Sequence, residues 1–383
     1  MKFYIIAGEA SGDLHGSNLI KELRKLDSSA TISCWGGDMM QEAGGELVKH
    51  YRELAFMGFW EVAKNLKTIF RNLRFCKEDI LKFKPDVLIL IDYPGFNLCI
   101  AKWAKRQGLK VIYYISPQVW AWKENRVKLM KECIDKMLVI LPFEKDYFKT
   151  NWNWEVEYVG HPLVEVIESY KLQDASFRLQ ALPAGRQASG FKPGDKPVIA
   201  LLPGSRKQEI LKKLPLMLDV SKSFPGYQFI VAKAPGIEDD FYKELLKKYS
   251  NVSFVANQTY HLLSQAKAAM VTSGTATLET ALLGVPEVVC YKGSPLSYQI
   301  AKRVIKVKYI SLVNLIMNKP VVKELIQDEL NVKNLEHELN ELLTNESRIA
   351  RIKKDYADLK NLLTEGGRAS AKAAGLIVNF LKP

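Results

Sequence analysis

The sequence predicts an α/β protein with two Rossmann-like domains that face a cleft. Two observations predict this fold. The apolar run 198–202 ends at Pro203-Gly204, and a helix-like pattern follows, as in a buried strand, a tight turn and a helix N-terminus. The first half opens in the same way, with the apolar run 2–7 ahead of the glycine-containing segment 8–13. Each half therefore begins a strand–helix alternation with its own glycine loop, which is typical of sheets that bind nucleotides.

Length and composition limit the classes of function. The chain has 383 residues, 48% of them apolar, which is enough for two domains that each bury a core. A formal net charge of +13 points to an anionic partner: a phosphorylated substrate, an acidic membrane surface or a nucleic acid. Zinc-finger spacing and an RNP-like aromatic strand are both missing from the sequence, which argues against nucleic acid. The five cysteines form no CxxC pair and suit free thiols in a reducing cytosol.

Membrane contact, if there is any, is expected to be peripheral. No apolar run reaches the roughly 18 residues that a membrane-spanning helix needs. The segment 56–77 instead alternates aromatic and aliphatic side chains with basic ones at helical spacing. Such a helix can lie in a lipid interface or hold acyl chains. The alternative is a core-facing helix with a solvated basic side, and the pattern alone favours that interpretation.

Several polar residues of the first half follow predicted strands. Asp92 follows the strand 85–91, and Pro94-Gly95 delay the next helix to about Phe96, so Asp92 is off the usual cap position and we favour a chemical role. Glu9, Asp13 and His15 lie in or just after the first glycine loop. For Asp13, capping is as plausible as chemistry, and for His15 a structural role is the default.

Three further features of the first half and the middle of the chain stand out. Trp120 and Trp122 occupy a loop after a strand, where they suit sugar or acyl contact or core packing equally well. His161 follows another predicted strand and could reach the cleft. Residues 166–196 lose the alternation and predict a linker with an inserted loop at 181–190.

Two loops of the second half suit a diphosphate. Gly204, Ser205 and Arg206 precede one predicted helix, and Ser273, Gly274 and Thr275 precede another. Helix N-termini offer unpaired N–H groups to phosphates, and Arg206 adds a charged fork. Glu279 can accept two ribose hydroxyls, although pairing with the helix dipole is the alternative. The run 287–292 is the last clear strand, and helical patterns then continue to the end.

With these residues in view, the chain resembles the lipid-A-disaccharide synthases, a family of bacterial glycosyltransferases. The matching segments run in the family's order over nearly the whole chain: AGEASGD at 7–13, MG at 57–58, EV at 61–62, KPD at 84–86, ID at 91–92 with FN at 96–97, SP at 116–117 with VWAW at 119–122, LPFE at 141–144, GH at 160–161, LPGSR at 202–206 and SGTATLE at 273–279. Two positions depart from the family pattern. Gly95 stands where some members have Asp, which shifts weight to Asp92, and Val313 stands where a Pro is expected.

The resemblance implies a GT-B fold whose C-terminal helix crosses back to the first domain. It implies inverting transfer of 2,3-diacylglucosamine from UDP to the 6-hydroxyl of 2,3-diacylglucosamine 1-phosphate (lipid X). It also implies a cytoplasmic protein on the inner-membrane surface, either a monomer or a homodimer that exchanges C-terminal segments. We therefore expect an acceptor- and acyl-binding domain at 1–165, the linker at 166–196, a UDP-sugar domain at 197–345 and returning helices at 346–383.

Roles follow from the residues and the resemblance together. Asp92 is the expected base, and Glu9, Asp13 and His15 are the alternative candidates. With no DxD triplet, we expect no metal and no cofactor. The expected UDP-binding residues are Gly204, Ser205, Arg206, Ser273, Gly274, Thr275, Thr277, Glu279, Tyr291 and Asn314. The resemblance moves the basic segment toward acyl or membrane contact through Phe56, Met57, Phe59, Trp60, Leu66, Phe70, Arg71 and Arg74. A UDP-N-acetylglucosamine 2-epimerase and a non-catalytic nucleotide-sugar or lipid-binding protein are the alternatives.

Overall fold

The computed structural model describes residues 1–54, 66–180, 196–294, 298 and 307–382. The chain divides into two compact units, Met1–Pro162 with Leu363–Pro383, and Leu163–Leu362. Within the described ranges, no helix is both long enough and apolar enough to cross a bilayer.

The first unit is built on a parallel sheet of seven strands in the order β3-β2-β1-β4-β5-β6-β7. The strands are β1 (Lys2–Ala7), β2 (Thr31–Gly36), β3 (Glu46–His50), β4 (Val87–Ile91), β5 (Val111–Tyr114), β6 (Lys136–Val139) and β7 (Glu157–Tyr158). Its helices are α1 (Ala10–Leu26), α2 (Asp38–Glu42), α3 (Leu66–Phe83), α4 (Pro94–Arg106), α5 (Arg126–Cys133) and α6 (Pro142–Trp152), together with α15 (Ala369–Leu381).

The second unit is built on a parallel sheet of six strands in the order β10-β9-β8-β11-β12-β13. The strands are β8 (Val198–Leu202), β9 (Gln228–Lys233), β10 (Val252–Ala256), β11 (Ala266–Thr272), β12 (Glu287–Tyr291) and β13 (Lys323–Ile326). The helices are α7 (Pro162–Gln180), α8 (Lys207–Val220), α9 (Asp239–Leu246), α10 (Thr259–Gln265), α11 (Thr275–Leu282), α12 (Leu312–Met317), α13 (Val332–Thr344) and α14 (Glu346–Thr364).

The central strands of both sheets are buried on both faces, which explains why they read as continuous apolar runs. All five residues of β4 and all five of β8 are buried. On one face of the first sheet, the C-terminal helix α15 completes the core: Ala373, Ala374 and Ile377 are 0% exposed and pack in one cluster with residues of β1 and α1. The C-terminal return to the first unit, expected from the resemblance, is confirmed.

Some local expectations were wrong. Helix α7 occupies much of the predicted linker, since Pro162 provides a helix start and Leu163, Val164 and Ile167 are buried without a regular apolar stripe. Strand β13 interrupts the region predicted to be helical, where it extends the sheet beside β12. Helix α4 begins at Pro94 rather than near Phe96. The predicted loop 181–190 lies outside the described residues.

Candidate functional site

The sheet of the first unit brings three loops to one edge. In the register, Ala7 pairs with Ile91, and Ile91 pairs with Tyr114. The residues that follow β1, β4 and β5 therefore leave the sheet side by side. Strands β1 and β4 are also the point where the strand order reverses direction, which is where open α/β sheets bind their ligands.

Asp92 is held at this edge in an uncommon backbone conformation. Its φ is +44°, that of Tyr93 is +49° and that of Ile115 in the adjoining loop is +67°, all in the left-handed region. The Asp92 carbonyl accepts hydrogen bonds from the Tyr113 hydroxyl at 2.5 Å and from Asn97 Nδ2 at 2.8 Å. Backbone strain of this kind concentrates at functional sites, where surrounding contacts hold it.

The electrostatic environment of Asp92 suits a proton acceptor. Burial, and next the nearby charge of Glu9, raise the pKa of Asp92 to about 6. A carboxylate with a pKa close to neutrality is ionised at working pH and still a useful base. The structure therefore brings Asp92 close to Glu9, which the sequence analysis names as an alternative base.

Asp13 has a structural role that the sequence did not reveal. Its Oδ1 accepts the backbone N–H groups of Gly37 at 2.8 Å and Met40 at 3.0 Å, and its Oδ2 accepts that of Met39 at 3.2 Å. The carboxylate thus satisfies unpaired amides at the start of α2, a different helix from its own. Asp13 is committed to this turn and is a poor candidate for a base.

His15 and His161 are both buried histidines. Burial lowers the pKa of His15 to about 4, and burial together with the nearby His15 lowers the pKa of His161 to about 3. Both imidazoles are neutral at physiological pH and weak as bases. His161 is 4% exposed, so the structure places it in the core of the first unit.

Glu144 is a buried carboxylate in the family-like segment LPFE, and the sequence predicts no role for it. It is 1% exposed, and burial raises its pKa to about 7, with the charge of Asp92 as a smaller cause. Its two oxygens accept hydrogen bonds from Trp120 Nε1 at 3.1 Å and from the Leu141 N–H at 3.0 Å. A Glu at the third position of a helix is a known capping signal and could have marked it. Glu144 and an edge contact to Phe143 anchor Trp120, whereas Trp122 is 48% exposed.

The segment predicted to contact acyl chains or membrane is only partly described. Phe56, Met57, Phe59 and Trp60 lie outside the described residues. In α3, which begins at Leu66, Cys76 and Ile80 are buried and provide a core face.

The rest of α3 is unusual for a solvated helix. Phe70 is 66% exposed, Phe75 43% and Leu81 49%, alongside exposed Arg71 and Arg74. Phe75 also packs against Trp35, and Arg74 pairs with Glu78, so Phe70 and Leu81 are the apolar side chains that this exposed side presents.

The second unit holds a cavity of about 450 Å³ at the carboxyl ends of β8, β9 and β11. Strands β8 and β11 are neighbours and form the reversal point of this sheet. The lining residues are Leu202, Gly204, Ser205, Arg206, Glu209, Ala232, Lys233, Ala234, Pro235, Thr259, Thr272, Ser273, Gly274, Thr275, Ala276 and Glu279. Both predicted diphosphate loops therefore meet at a single cavity.

The two glycine loops have the geometry of anion-binding turns. Gly204 has φ +120° and Gly274 has φ +139°, conformations that L side chains rarely adopt. The loops lead into the N-termini of α8 and α11, which carry a partial positive charge. The Arg206 side chain is 64% exposed at the mouth, with Nη1 3.6 Å from Glu209 Oε1.

Glu279 closes one side of the cavity through a partner that the sequence did not identify. The Tyr260 hydroxyl donates to Glu279 Oε1 at 2.7 Å, and burial raises the pKa of Glu279. The Tyr260 ring in turn packs edge-on against Tyr170 at 5.6 Å. This contact orients a carboxylate toward which ribose hydroxyls could donate.

The structure does not bring Thr277, Tyr291 and Asn314 into this cavity. Thr277 is 0% exposed and donates its hydroxyl to the Gly274 carbonyl at 2.8 Å, which stabilises the turn. Asn314 bridges the Val322 backbone through both ends of its amide and lines a separate cavity of about 570 Å³. Tyr291 ends β12, the strand beyond β11. Their direct contact with UDP remains a prediction without geometric support.

Among the residues that the structure describes, no group of three or more His, Cys, Asp or Glu side chains comes together as a metal site would require.

Comparisons with known proteins place the chain among close relatives. The family model described as lipid-A-disaccharide synthetase matches residues 3–378. A lipid-A-disaccharide synthase of Geobacter metallireducens is 38% identical, covering 98% of this chain and 96% of the relative. Lipid-A-disaccharide synthase 1 of Legionella pneumophila strain Paris is 41% identical over 89% of this chain and 86% of its own length.

Solved structures share the fold at low identity. A UDP-GlcNAc 2-epimerase from Neisseria meningitidis, bound to UDP-GlcNAc, matches with a TM-score of 0.68 at 15% identity, covering 100% of this chain and 99% of the other. The calicheamicin glycosyltransferase matches with a TM-score of 0.59 at 16% identity, covering 99% and 98%. At these identities the likeness establishes the two-unit α/β architecture alone.

Proposed function

The chain belongs to the lipid-A-disaccharide synthase family, and on this premise we propose that it joins two acylated glucosamines into the lipid A disaccharide. The donor is UDP-2,3-diacylglucosamine and the acceptor is lipid X. The O6 oxygen of lipid X attacks the anomeric carbon of the donor and forms the new glycosidic bond, while the bond from that carbon to the UDP oxygen breaks and configuration inverts. The acceptor proton passes to a base, and the electron pair leaves with UDP.

The cavity of the second unit carries this proposal. Two glycine loops at helix N-termini, with Arg206 at the mouth, suit a diphosphate, and Glu279 suits the ribose of the same nucleotide. The same groups stabilise the negative charge that develops on the departing UDP. We assign UDP-sugar binding to residues 197–345 and acceptor binding to residues 1–165.

We assign the base to Asp92. It is a strand-end carboxylate with a pKa of about 6 and a backbone held by neighbouring side chains. Glu9 contributes by raising that pKa rather than by taking the proton. We do not propose Asp13 or His15 as the base, because Asp13 accepts three backbone N–H groups and burial lowers the pKa of His15 to about 4.

Purified protein incubated with UDP-2,3-diacylglucosamine and lipid X in EDTA tests the reaction. We expect disaccharide and UDP in equal amounts. Activity that appears only without EDTA would contradict the metal-free expectation. Protein that binds UDP but forms no disaccharide in either condition would favour the epimerase or binding-protein alternatives. The epimerase alternative rests on likeness of fold alone, and its test is conversion of UDP-N-acetylglucosamine to its 2-epimer.

We further propose peripheral attachment to the cytoplasmic face of the inner membrane, because both substrates carry acyl chains. The exposed side of α3, with Phe70, Arg71 and Arg74, supports this contact. Phe70→Glu should reduce sedimentation with anionic phospholipid vesicles severalfold, since it places a carboxylate at an anionic interface.

Leu172→Glu is the matched control for that measurement. Leu172 is an aliphatic side chain in the second unit with a similar exposure of 70%. Equal vesicle binding by wild type and Phe70→Glu would remove this face from the membrane contact. Oligomeric state, monomer or homodimer with exchanged α15, is decided by sedimentation equilibrium.

A further inference from the structure

Lys213 is a lysine that α8 buries beneath the nucleotide cavity. Its exposure is 3%, and it lies on the same face of the helix as Ile210 and Leu214, both 0% exposed. Lys212, one position earlier, is exposed. Lysine is rarely buried to this degree unless its charge is paired, so this position calls for a physical reason.

The ammonium group lies where the two glycine loops of the cavity approach one another. Lys213 Nζ donates a hydrogen bond to Thr272 Oγ1, at the end of β11. A Cβ built on Gly204, just after β8, would lie 3.4 Å from Nζ. Thr272 and Gly204 both line the cavity. Lys213 therefore places a positive charge directly under the cavity floor.

Lys213 differs from the other cations at the cavity because no carboxylate of the described residues lies within ion-pair distance of it. Arg206 has Glu209 at 3.6 Å, and Lys233 is paired with Asp239. Among the described residues, no ion pair includes Lys213. Burial lowers the pKa of Lys213, and Glu209, one helical turn earlier, and then Cys290 oppose that effect. Glu209 is near this position too, since its Oε2 would lie 2.9 Å from the Cβ built on Gly204.

A buried ammonium with no carboxylate in direct contact is costly, and an anion bound close to it offsets that cost. The Thr272 hydroxyl occupies one of its three N–H donors. The ammonium group would therefore be stabilised by negative charge at the floor of the cavity.

We propose that Lys213 is a diphosphate-binding residue of this chain, which stabilises the pyrophosphate of bound UDP from beneath the Gly204 loop. The inference rests on the proposed function, because it takes a uridine nucleotide as the occupant. Its specific consequence is a preference for the diphosphate part of the ligand. Binding of the nucleoside part should not depend on Lys213.

The experiment compares UDP with uridine on the full-length protein, with calorimetry for UDP and ligand-detected NMR for the weaker uridine. Lys213→Met removes the charge and keeps an apolar side chain of similar length, and Lys213→Gln retains a donor for Thr272. We expect each variant to weaken UDP binding on the order of tenfold, as for one charge near a phosphate at partial burial, and to leave uridine binding unchanged. Lys212→Met, the exposed neighbour, should change neither.

A pH series adds a readout that a merely structural role would not move. From about pH 7.5 the phosphates of UDP are almost fully ionised, so at pH values below the ionisation of the uracil ring a further loss of affinity reports a protein group. Wild-type affinity for UDP should fall as pH rises and Lys213 loses its proton, and the dependence should flatten in Lys213→Met.

The outcomes separate the inference from the proposed function. Equal losses for UDP and uridine, or no loss for UDP in either variant, would overturn the role of Lys213. Wild-type protein that binds no UDP would instead overturn the proposed function. Thermal unfolding of each variant verifies the fold, and Lys213→Met should be at least as stable as wild type because it removes a buried charge.

Discussion

Replacing Asp92 by Asn should abolish most turnover and at the same time stabilise the protein. The amide has nearly the shape of the carboxylate but cannot take the proton of the lipid X 6-hydroxyl, so kcat should fall by a factor of about 10² to 10⁴. The contacts to the Asp92 carbonyl from Tyr113 and Asn97 involve the backbone and remain in the variant. UDP binding, which we assign to the second unit, should be unchanged.

The stabilisation follows from the raised pKa of Asp92. Its ordinary value is 3.8 and its value in the folded protein about 6. A raised pKa means that the folded state prefers the protonated form, so ionisation destabilises the protein progressively from about pH 4 and fully above about pH 6. At about 1.36 kcal/mol per pH unit, the gap corresponds to at most about 3 kcal/mol at neutral pH. Asn avoids this cost, so the variant should gain stability at pH 7.5 and little at pH 4.

The pH profile of the wild-type enzyme is the matching assay. As the proposed base, Asp92 must be ionised to act, so the rate of UDP formation should be highest above its pKa and should decline as pH falls through about 6. Glu9→Gln removes the like charge that helps to raise this pKa and should move the decline to lower pH. Asp92→Asn with turnover within tenfold of wild type would refute Asp92 as the base. An acid limb that stays in place in Glu9→Gln would refute the electrostatic coupling.

Three further predictions concern single side chains. Tyr260→Phe removes the hydroxyl that orients Glu279 and should raise KM for the UDP-sugar severalfold with little change in kcat. Tyr249→Phe, which loses a similar hydrogen bond to the carboxylate of Asp219, is the control. A KM for Tyr260→Phe equal to that of the wild type would contradict the role of Tyr260. Asp13→Ala leaves three backbone amides at the start of α2 without their acceptor. The free energy of unfolding, measured in urea, should fall by about 2 to 4 kcal/mol. A fall below about 0.5 kcal/mol would show that water replaces the carboxylate. Glu287 is fully buried, and burial raises its pKa well above the ordinary value, so wild-type stability should fall as pH rises above about 4.5. Glu287→Gln should remove the part of that slope that Glu287 contributes and leave the part due to Asp92, and parallel stability curves for both proteins from pH 4 to 8 would contradict it.

Sequence reasoning located most of the candidate site because parallel strands buried on both faces are continuous apolar runs, and the glycine loops that end them are recognisable. Glu9, Asp92 and the loops at 204–206 and 273–275 follow such runs, and the register of each sheet brings them to shared edges. Strand β13 was missed because a four-residue edge strand with one buried side chain has too little pattern to read.

The sequence by itself determined the two-fold alternation of strands and helices, the two glycine loops and the family, since these depend on local patterns and on motif order. The tertiary structure alone decided what the polar groups do. Asp13 binds amides 24 to 27 residues away, and nothing local distinguishes this from capping its own helix. The raised pKa of Asp92 depends on burial and on Glu9, which belongs to another strand end. Lys213 and Lys212 are adjacent lysines in one helix, and only the packing of α8 against its sheet buries the first and exposes the second, because burial depends on which face of a helix meets the core.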